Sequence, residues 1–184
     1  MNWPAPRPEL ELAALVRTIT DFPKPGIQFR DITTLIGDRH GFAESVRRLA
    51  DRAAGYRPDA IVAVEARGFL FGAAMAAMMG LGLVPVRKAG KLPGVTIGVD
   101  YALEYGTDRL ELHEGAVRPG SRVVLVDDLL ATGGTIVATA ELMRAAGADV
   151  AAALFVIDLP DLGGSARLAA AGLACETLIA FEGD

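Results

Sequence analysis

Residues 123–135, with the sequence VVLVDDLLATGGT, constrain the fold more than any other part of the chain. An apolar run leads into Asp127 and Asp128, and a series of small residues then opens a stretch with helical spacing. A short, unbroken apolar run of this kind is typical of a strand buried in a parallel sheet. The segment therefore predicts a strand, a loop and a helix, the unit from which α/β proteins are built.

The same alternation of short apolar runs and helical spacing continues on both sides of this segment. Buried strands are predicted at residues 60–64, 83–86, 122–126, 150–157 and 177–181. Helices are predicted at residues 9–20, about 42–55, 68–79, 134–146 and 165–171. The pattern predicts an α/β fold, in which helices flank a central, mainly parallel sheet within a single domain of residues 1–184.

Two segments are predicted to be irregular. The sequence PKPG at residues 23–26 ends the first predicted helix, and a loop follows it. Residues 88–112 are long for a plain connection and are punctuated by Gly90, Pro93, Gly94, Gly98 and Gly106. We interpret this second segment as a functional lid.

Composition argues against several classes of protein. A formal net charge of -5 provides no general attraction to nucleic acid. Cys175 is the only cysteine, so no intrachain disulfide can form, which fits a reducing cytoplasm. The spacing of His40 and His113 does not suit a zinc site. We expect a cytoplasmic protein without a nucleic-acid partner.

Neither export nor membrane insertion is expected. The first residues are rich in proline and contain Glu9 and Glu11, unlike the basic and then apolar order of a secretory signal. The most apolar stretch, residues 68–86, is interrupted by glycine and proline. It fits a buried helix followed by a strand better than a membrane span.

The chemistry of the chain is predicted to centre on residues 127–135. Because an unpaired buried charge is costly, Asp127 and Asp128 should face a polar site, where they could accept hydrogen bonds from ribose hydroxyls or hold Mg²⁺ together with substrate oxygens. Glycines, two hydroxyls and a helix N-terminus could form a phosphate cradle from Ala131, Thr132, Gly133, Gly134 and Thr135. Either half alone would also fit a solvated loop start or a helix cap. A Walker loop is a poor alternative, because no Gly-Lys-Ser/Thr follows.

Joined on one strand–loop–helix unit, the two halves resemble the phosphoribosyl pyrophosphate (PRPP) motif of the type I phosphoribosyltransferases. The blocks FPKPGIQFRDIT (22–33), EARGFLFG (65–72), RKAGKLPG (87–94) and YALEYG (101–106) are similar to the successive signatures of adenine phosphoribosyltransferases. The resemblance implies a type I phosphoribosyltransferase fold with an N-terminal hood at about residues 1–35 and a flexible catalytic loop at about residues 89–112. It also implies transfer of the 5-phosphoribosyl group of PRPP to adenine, giving AMP and pyrophosphate in purine salvage, with Mg²⁺ as cofactor and a homodimer as the assembly.

The resemblance implies a role for each matched residue. Adenine would be bound by Gln28, Phe29, Arg30 and Leu162. Pyrophosphate would be bound by Arg67, Arg87, Lys88 and Lys91. Ribose and its phosphate would be bound by residues 127–128 and 131–135, with Asp127 and Asp128 as candidate ligands of PRPP-bound Mg²⁺. Glu104 and Tyr105 would be the catalytic pair, of which the glutamate assists proton transfer at the base.

Several alternatives stay open at the level of sequence. Phe29 could be a core anchor while Arg30 pairs with Asp31, and Glu65 with Arg67 could be only a local ion pair. A phosphate cradle does not encode the base, so xanthine or guanine could replace adenine, although the 22–33 block favours adenine. A regulator that senses the phosphoribosyl ligand and binds nucleic acid would need a basic face or a further module.

Overall fold

The structure of the chain, a computed structural model, describes residues 3–102 and 106–183. A 3-10 turn at Leu12–Leu15 precedes a small two-stranded sheet, in which β1 (Arg17–Thr20) pairs antiparallel with β2 (Gln28–Asp31). The helices α1 (Thr33–Gly37) and α2 (Arg39–Tyr56) follow. Asp38 caps α2 by accepting hydrogen bonds from the backbone N–H groups of His40 and Gly41, so the helix begins at a defined residue.

The centre of the molecule is a seven-stranded sheet of order β5-β6-β4-β3-β7-β8-β9. Its parallel strands are β3 (Ala60–Val64), β4 (Gly82–Lys88), β7 (Arg122–Leu130), β8 (Asp149–Asp158) and β9 (Ala174–Ala180). An antiparallel hairpin of β5 (Thr96–Ala102) and β6 (Thr107–His113) extends the sheet beyond β4. The predicted α/β class with a mainly parallel sheet is confirmed.

Helices cover both faces of this sheet. On one face, α2 and α3 (Gly68–Met79) bury Leu49, Phe71 and Met75 in a core that includes Ile61. On the other face, α4 (Gly134–Ala145) and α5 (Gly164–Ala170) form a second core, which includes Val62 from the same strand. Successive β3 side chains thus enter opposite cores, which explains why a strand covered on both faces has an unbroken apolar sequence.

The topology positions the functional site. β3 lies between β4 and β7, and the helices that follow β3 and β7 lie on opposite faces of the sheet. In an open parallel sheet such a reversal leaves a crevice at the carboxyl ends of the strands, where ligands bind. Residues 65–67, 87–88 and 127–128 all lie at this edge.

Two expectations about the first residues were wrong. A helix was predicted over residues 9–20, but only Leu12–Leu15 is helical and Arg17–Thr20 is a strand. The predicted loop after it contains β2. The β-branched residues in β1 favour a strand, and their pairing with β2 outweighs the weak helical spacing.

The expected irregular segment at residues 88–112 is instead largely the β5–β6 hairpin. Ile97, Val99 and Tyr101 alternate along β5 and are all partly buried. This period-2 pattern is the usual sign of a strand, but the glycines around it obscured it. β7 also continues to Leu130, so Asp127 and Asp128 lie within the strand rather than after it. None of the helices formed by the described residues has the length and apolar character needed to cross a membrane.

Candidate active site

Arg67 and Asp128 form an ion pair between the ends of β3 and β7. The Arg67 Nε lies 2.5 Å from the Asp128 Oδ2. Asp128 is buried, with 6% of its surface exposed, whereas about half of the Arg67 side chain, 51%, remains exposed. The hydrogen bond to Asp128 raises the pKa of Arg67 above its ordinary value, so the guanidinium stays charged. The pair fixes the position of the Arg67 guanidinium at this edge of the sheet and leaves half of the side chain exposed.

A second set of ion pairs lies at the end of β4. The Arg87 Nε is 2.7 Å from the Glu65 Oε2, and the Lys88 Nζ is 2.9 Å from the Asp108 Oδ2 of β6. The pKa of Lys88 is raised by its hydrogen bond to Asp108. The alternative of a local ion pair between Glu65 and Arg67 is wrong. Glu65 pairs with Arg87 of β4, and Arg67 pairs with Asp128 of β7.

Asp127 is held next to the start of α3 by close packing. A Cβ atom added to Gly68 would lie 2.8 Å from the Asp127 Oδ1 and 2.9 Å from the Val126 carbonyl oxygen, so only glycine fits there. Burial and the adjacent charge of Asp128 raise the pKa of Asp127 well above its ordinary value. Its Oδ1 also accepts a hydrogen bond of 2.9 Å from the Asp128 backbone N–H. The pair of carboxylates therefore carries less negative charge than two free aspartates would.

The predicted phosphate cradle is a concave loop at the N-terminus of α4. Residues 131–135 line a cavity of about 340 Å³ together with parts of β7 and Phe155. Gly133 has a φ of +75°, a left-handed conformation that glycine adopts without strain, and it precedes the first residue of α4. Glycines, the hydroxyls of Thr132 and Thr135, and a helix N-terminus are thus brought together around one concavity, which is the arrangement that binds phosphate.

The cradle and the ion pairs belong to one continuous site. An open cleft of about 850 Å³ is lined by residues 64–67, Lys88, Tyr101, Leu110, residues 127–129 and Thr135. It shares Asp127, Leu129 and Thr135 with the cradle. Arg67, Lys88 and the two carboxylates therefore line a cleft that is continuous with the cradle.

The structure brings the hood towards the turn that contains Leu162. The Arg30 guanidinium lies 4.7 Å from the centre of the Phe181 ring, and its Nη2 donates to the Glu182 carbonyl oxygen at 3.4 Å. The Gly183 N–H donates to Asp161, one residue before Leu162, at 2.7 Å. Residues 181–183 therefore join β2 to the Pro160–Leu162 turn, and sequence reasoning did not anticipate this link.

Phe29 is not a core anchor. It is absent from both hydrophobic cores and meets the exposed Phe22 edge to face, with the ring centres 5.2 Å apart. Gln28 lies beside it in β2, opposite Thr20. Asp31, offered as a partner for Arg30, binds Thr33 and Arg17, which lower its pKa to about 2. An aromatic ring outside the core is available to stack on a planar ligand.

Some predicted residues are not brought into the site by side-chain contacts. Glu104 and Tyr105 lie outside the described residues. The Lys91 side chain forms no ion pair within residues 3–102 and 106–183, although its carbonyl oxygen accepts a 2.9 Å hydrogen bond from the Arg87 Nη1. No group of three or more histidine, cysteine, aspartate or glutamate side chains suited to a metal occurs in the same described ranges.

Tyr101 is a site residue that sequence reasoning did not assign. It lines the cleft, and its hydroxyl lies 3.5 Å from the Asp108 Oδ2, beside the Lys88 ion pair. Burial raises its pKa. The alternation of apolar residues along β5 could have identified it, since Tyr101 continues the inward-facing series of Ile97 and Val99.

The fold and the cleft together define a phosphoribosyltransferase. Residues 34–166 match the family described as the phosphoribosyl transferase domain. The adenine phosphoribosyltransferase of Sphingopyxis alaskensis is 85% identical over 179 residues, which are 97% of this chain and 97% of that one. The chain belongs to the adenine phosphoribosyltransferase family.

Solved structures agree with this assignment. The adenine phosphoribosyltransferase of Thermoanaerobacter pseudethanolicus has a TM-score of 0.88 and 49% identity, covering 92% of this chain and 98% of that chain. The enzyme of Saccharomyces cerevisiae, crystallised with an imino-altritol bisphosphate and adenine, has a TM-score of 0.84 and 36% identity. That match covers 91% of this chain and 96% of the yeast chain.

Proposed function

We propose that this chain transfers the 5-phosphoribosyl group of PRPP to a ring nitrogen of adenine, producing AMP and pyrophosphate for purine salvage. The observation that carries the proposal is the continuous cleft, in which the phosphate cradle shares Asp127 and Thr135 with a space lined by Arg67 and Lys88. PRPP carries a phosphate at one end, vicinal hydroxyls in the middle and pyrophosphate at the other end. The cleft offers matching groups in that order.

The phosphoribosyl part of PRPP would be fixed from two sides. Residues 131–135 would bind the 5-phosphate through backbone N–H groups and the threonine hydroxyls. Asp127 and Asp128 would accept hydrogen bonds from the ribose hydroxyls, which are donors that a carboxylate can pair with. Holding both ends of the sugar orients its anomeric carbon towards the base and lowers the entropic part of the barrier.

The cations at the strand ends would stabilise the leaving group. Pyrophosphate gains negative charge as the bond to the anomeric carbon breaks, and Arg67, Arg87, Lys88 and Lys91 would offset this charge. Arg67, Arg87 and Lys88 are paired with carboxylates in the structure, so they are held at the strand ends before a ligand arrives. The sugar would pass through an oxocarbenium-like transition state, as in glycosyl transfer generally.

Mg²⁺ fits this site only if the substrate supplies most of its ligands. The described residues contribute adjacent carboxylates, Asp127 and Asp128, which are hard oxygen donors, and no larger cluster. These two residues would hold the ion together with ribose and pyrophosphate oxygens. When bound, the ion would supply further stabilisation of the charge on the leaving group.

Adenine would bind between Phe29 and Leu162. Phe29 would stack on the base, and Leu162, which is 41% exposed, would cover the opposite side. The contacts of Arg30 with residues 181–182 and of Gly183 with Asp161 support this arrangement, since they tie the hood to the turn that contains Leu162. Main-chain groups near Gln28 would read the edge of the base.

Glu104 and Tyr105 are proposed as the catalytic pair. The strands on either side of them end at Ala102 in β5 and begin again at Thr107 in β6. Ala102 directly follows Tyr101, which lines the cleft. Glu104 would assist proton transfer at the base. Closure of the tip of the β5–β6 hairpin would keep water from the reactive sugar, and protease cleavage within residues 91–112 should then be slower when substrates are present.

We further propose a cytoplasmic homodimer. Leu70 of α3 and Leu83 of β4 are large apolar side chains with 46% and 37% of their surface exposed, and an interface between two copies would cover them. Light scattering coupled to size exclusion would test this assembly. A cytoplasmic location is supported by the single, unpaired Cys175 and by the phosphorylated substrates, which are metabolites of the cell interior.

The decisive experiment measures Mg²⁺-dependent consumption of PRPP with adenine, hypoxanthine, guanine and xanthine in parallel. AMP formation from adenine alone, abolished by Glu104→Ala and Asp128→Ala, would support the substrate and the site together. Turnover with guanine or xanthine instead would overturn the choice of base. If no base were used, a gel-shift assay at moderate salt would test the regulatory alternative.

A further inference from the structure

Helix α5 packs against the back of the phosphate cradle. A Cβ atom on Gly164 would overlap the Ala131 carbonyl oxygen, and one on Gly133 would lie 2.8 Å from the Leu168 Cδ1. One on Gly134 would lie 3.5 Å from the Arg167 Nη1 and 3.9 Å from its Cζ. Successive parts of the cradle thus touch α5, and the guanidinium of Arg167 occupies the space beside Gly134, the first residue of α4.

The wall of the cradle itself contains no cationic side chain. Its lining within the described residues consists of residues 129–136, Asp127 and Phe155. Arg67, Arg87 and Lys88 are paired with carboxylates at the β3 and β4 ends, on the other side of the cleft. A bound phosphate carries about two negative charges. In the cradle, beside Asp127, only the dipoles of the backbone and of helix α4 would balance them.

Arg167 is placed to supply the missing charge. The residue is exposed, and its side chain makes no hydrogen bond or ion pair with any residue in ranges 3–102 and 106–183. Its guanidinium carries a permanent charge and several N–H donors in a planar fork that matches phosphate oxygens. Gly134 lacks a side chain, and among the described residues the Arg167 Nη1 is the atom nearest to the point where a Cβ of Gly134 would stand, with the Ala102 carbonyl oxygen next at 3.8 Å.

We propose that Arg167 is a phosphate-binding residue, whose guanidinium donates hydrogen bonds to the non-bridging oxygens of the 5-phosphate in the cradle. The inference rests on the proposed function, which puts a phosphorylated ribose there, and it adds a cation from α5 to a loop whose own residues are neutral. Arg167 would contribute to the affinity for the phosphoribosyl group and leave the chemistry at the anomeric carbon unchanged.

The test compares Arg167→Gln and Arg167→Lys with Arg144→Gln. Arg144 is also exposed and lies in α4, but it donates to the Ala171 carbonyl oxygen, so its substitution removes the same charge away from the cradle. Binding of ribose 5-phosphate and of pyrophosphate is measured separately by calorimetry, and steady-state kinetics give KM for PRPP, KM for adenine and kcat.

Arg167→Gln should weaken ribose 5-phosphate binding and raise KM for PRPP by about tenfold, the effect of one charged hydrogen bond. Pyrophosphate binding, KM for adenine and kcat should stay unchanged, because pyrophosphate does not enter the cradle. Arg167→Lys should lose less affinity for ribose 5-phosphate than Arg167→Gln. Arg144→Gln should bind ribose 5-phosphate as the unmodified protein does. Unaltered ribose 5-phosphate binding in Arg167→Gln would overturn the inference, as would an equal loss for both ligands.

The binding measurement separates this inference from the proposed function. If the unmodified protein formed no AMP but bound ribose 5-phosphate in an Arg167-dependent manner, the enzymatic proposal would fail and the role of Arg167 would stand. If AMP formed normally in every variant with unchanged KM for PRPP, the role of Arg167 would fail and the enzymatic proposal would stand.

Discussion

The Arg67 guanidinium and the Asp128 carboxylate, 2.5 Å apart, join the two strand ends between which the phosphoribosyl donor is proposed to bind. Arg67 is proposed to bind pyrophosphate, and Asp128 is proposed to bind the ribose. In the absence of ligand the two side chains form an ion pair with each other. Ligand binding would therefore exchange an existing ion pair for contacts with the substrate, so the site keeps its charged groups in place without leaving either one unpaired.

Asp128→Asn should lower kcat/KM for PRPP by about 10²-fold, because an amide cannot accept hydrogen bonds from the ribose hydroxyls with the strength of a carboxylate. The stability of the folded state should change little, since half of the Arg67 side chain is exposed and its charge can be solvated. Steady-state kinetics and thermal unfolding test the two statements. Asp149→Asn, at the opposite end of the sheet, is the control, and equal kinetics in the two variants would contradict the proposed role.

Gly68→Ala should destabilise the protein and weaken PRPP binding together. The added methyl group would meet the Asp127 side chain and the Val126 backbone at under 3 Å, at 2.8 Å and 2.9 Å, so α3 or β7 must shift at a cost of about 1–3 kcal/mol. Gly55→Ala in α2 meets no atom within 4 Å and should stabilise by up to about 1 kcal/mol. Urea denaturation measures both changes, and equal midpoints for the two variants would refute the steric argument.

Asp31 should make the hood sensitive to acid. Its pKa is lowered from 3.8 to about 2, first by the hydrogen bond from the Thr33 hydroxyl and then by that from Arg17. A lowered pKa means that the folded state binds the proton more weakly than the unfolded state. The stability that Asp31 contributes is therefore complete above about pH 4 and is lost progressively as pH falls towards 2.

Asp31→Asn tests this directly. The difference in urea midpoint between the unmodified protein and this variant should be largest at pH 6 and should shrink when the pH is lowered to 3. Thr33→Val removes the hydroxyl that lowers the pKa of Asp31 most, so it should reduce the same pH dependence in part. A difference that is constant between pH 6 and 3 would show that the carboxylate charge is not the stabilising feature.

Phe29→Leu should raise KM for adenine by about 5-fold or more, since stacking of a base on an aromatic ring contributes about 1–3 kcal/mol. KM for PRPP should be unchanged, because Phe29 is absent from the residues that line the cradle and the cleft. Phe22→Leu is a matched substitution of the neighbouring ring, which meets Phe29 edge to face. Phe22→Leu should raise KM for adenine less than Phe29→Leu does. A larger increase for Phe22→Leu would indicate that Phe22, rather than Phe29, stacks on the base.

The parallel part of the fold could be predicted from the sequence because both faces of its strands are buried. Ile61 and Val62 are buried in different cores, so successive residues of the strand must all be apolar. An unbroken apolar run therefore indicates a strand that is covered on both faces. The strands β1, β2, β5 and β6 were missed because they are short or partly exposed, and their register depends on antiparallel partners. Local spacing contains little information about such pairings.

The candidate site could be predicted as a set of residues but not as a set of contacts. The motif predicted the cradle and the carboxylates, and the strand ends predicted Arg67 and Arg87. That Arg67 pairs with Asp128 and Glu65 with Arg87 depends on the order of the strands, which no local pattern encodes. Arg167 and residues 181–183 were missed for the same reason, because they reach the site through packing.

The position of β3 between β4 and β7 also has a consequence for how the protein folds. The cleft needs the ends of all three strands, and β3 pairs Ala60 with Val123, far along the chain. A sheet that lacks any of these three strands cannot contain the site, so a ligand of the cleft binds only molecules in which β3, β4 and β7 are assembled. At a free concentration one hundred times its dissociation constant, such a ligand would add about 2.7 kcal/mol to the unfolding free energy of the entire domain. PRPP binding would thus stabilise the paired strands β3, β4 and β7, and their protection from hydrogen exchange would rise together with ligand occupancy.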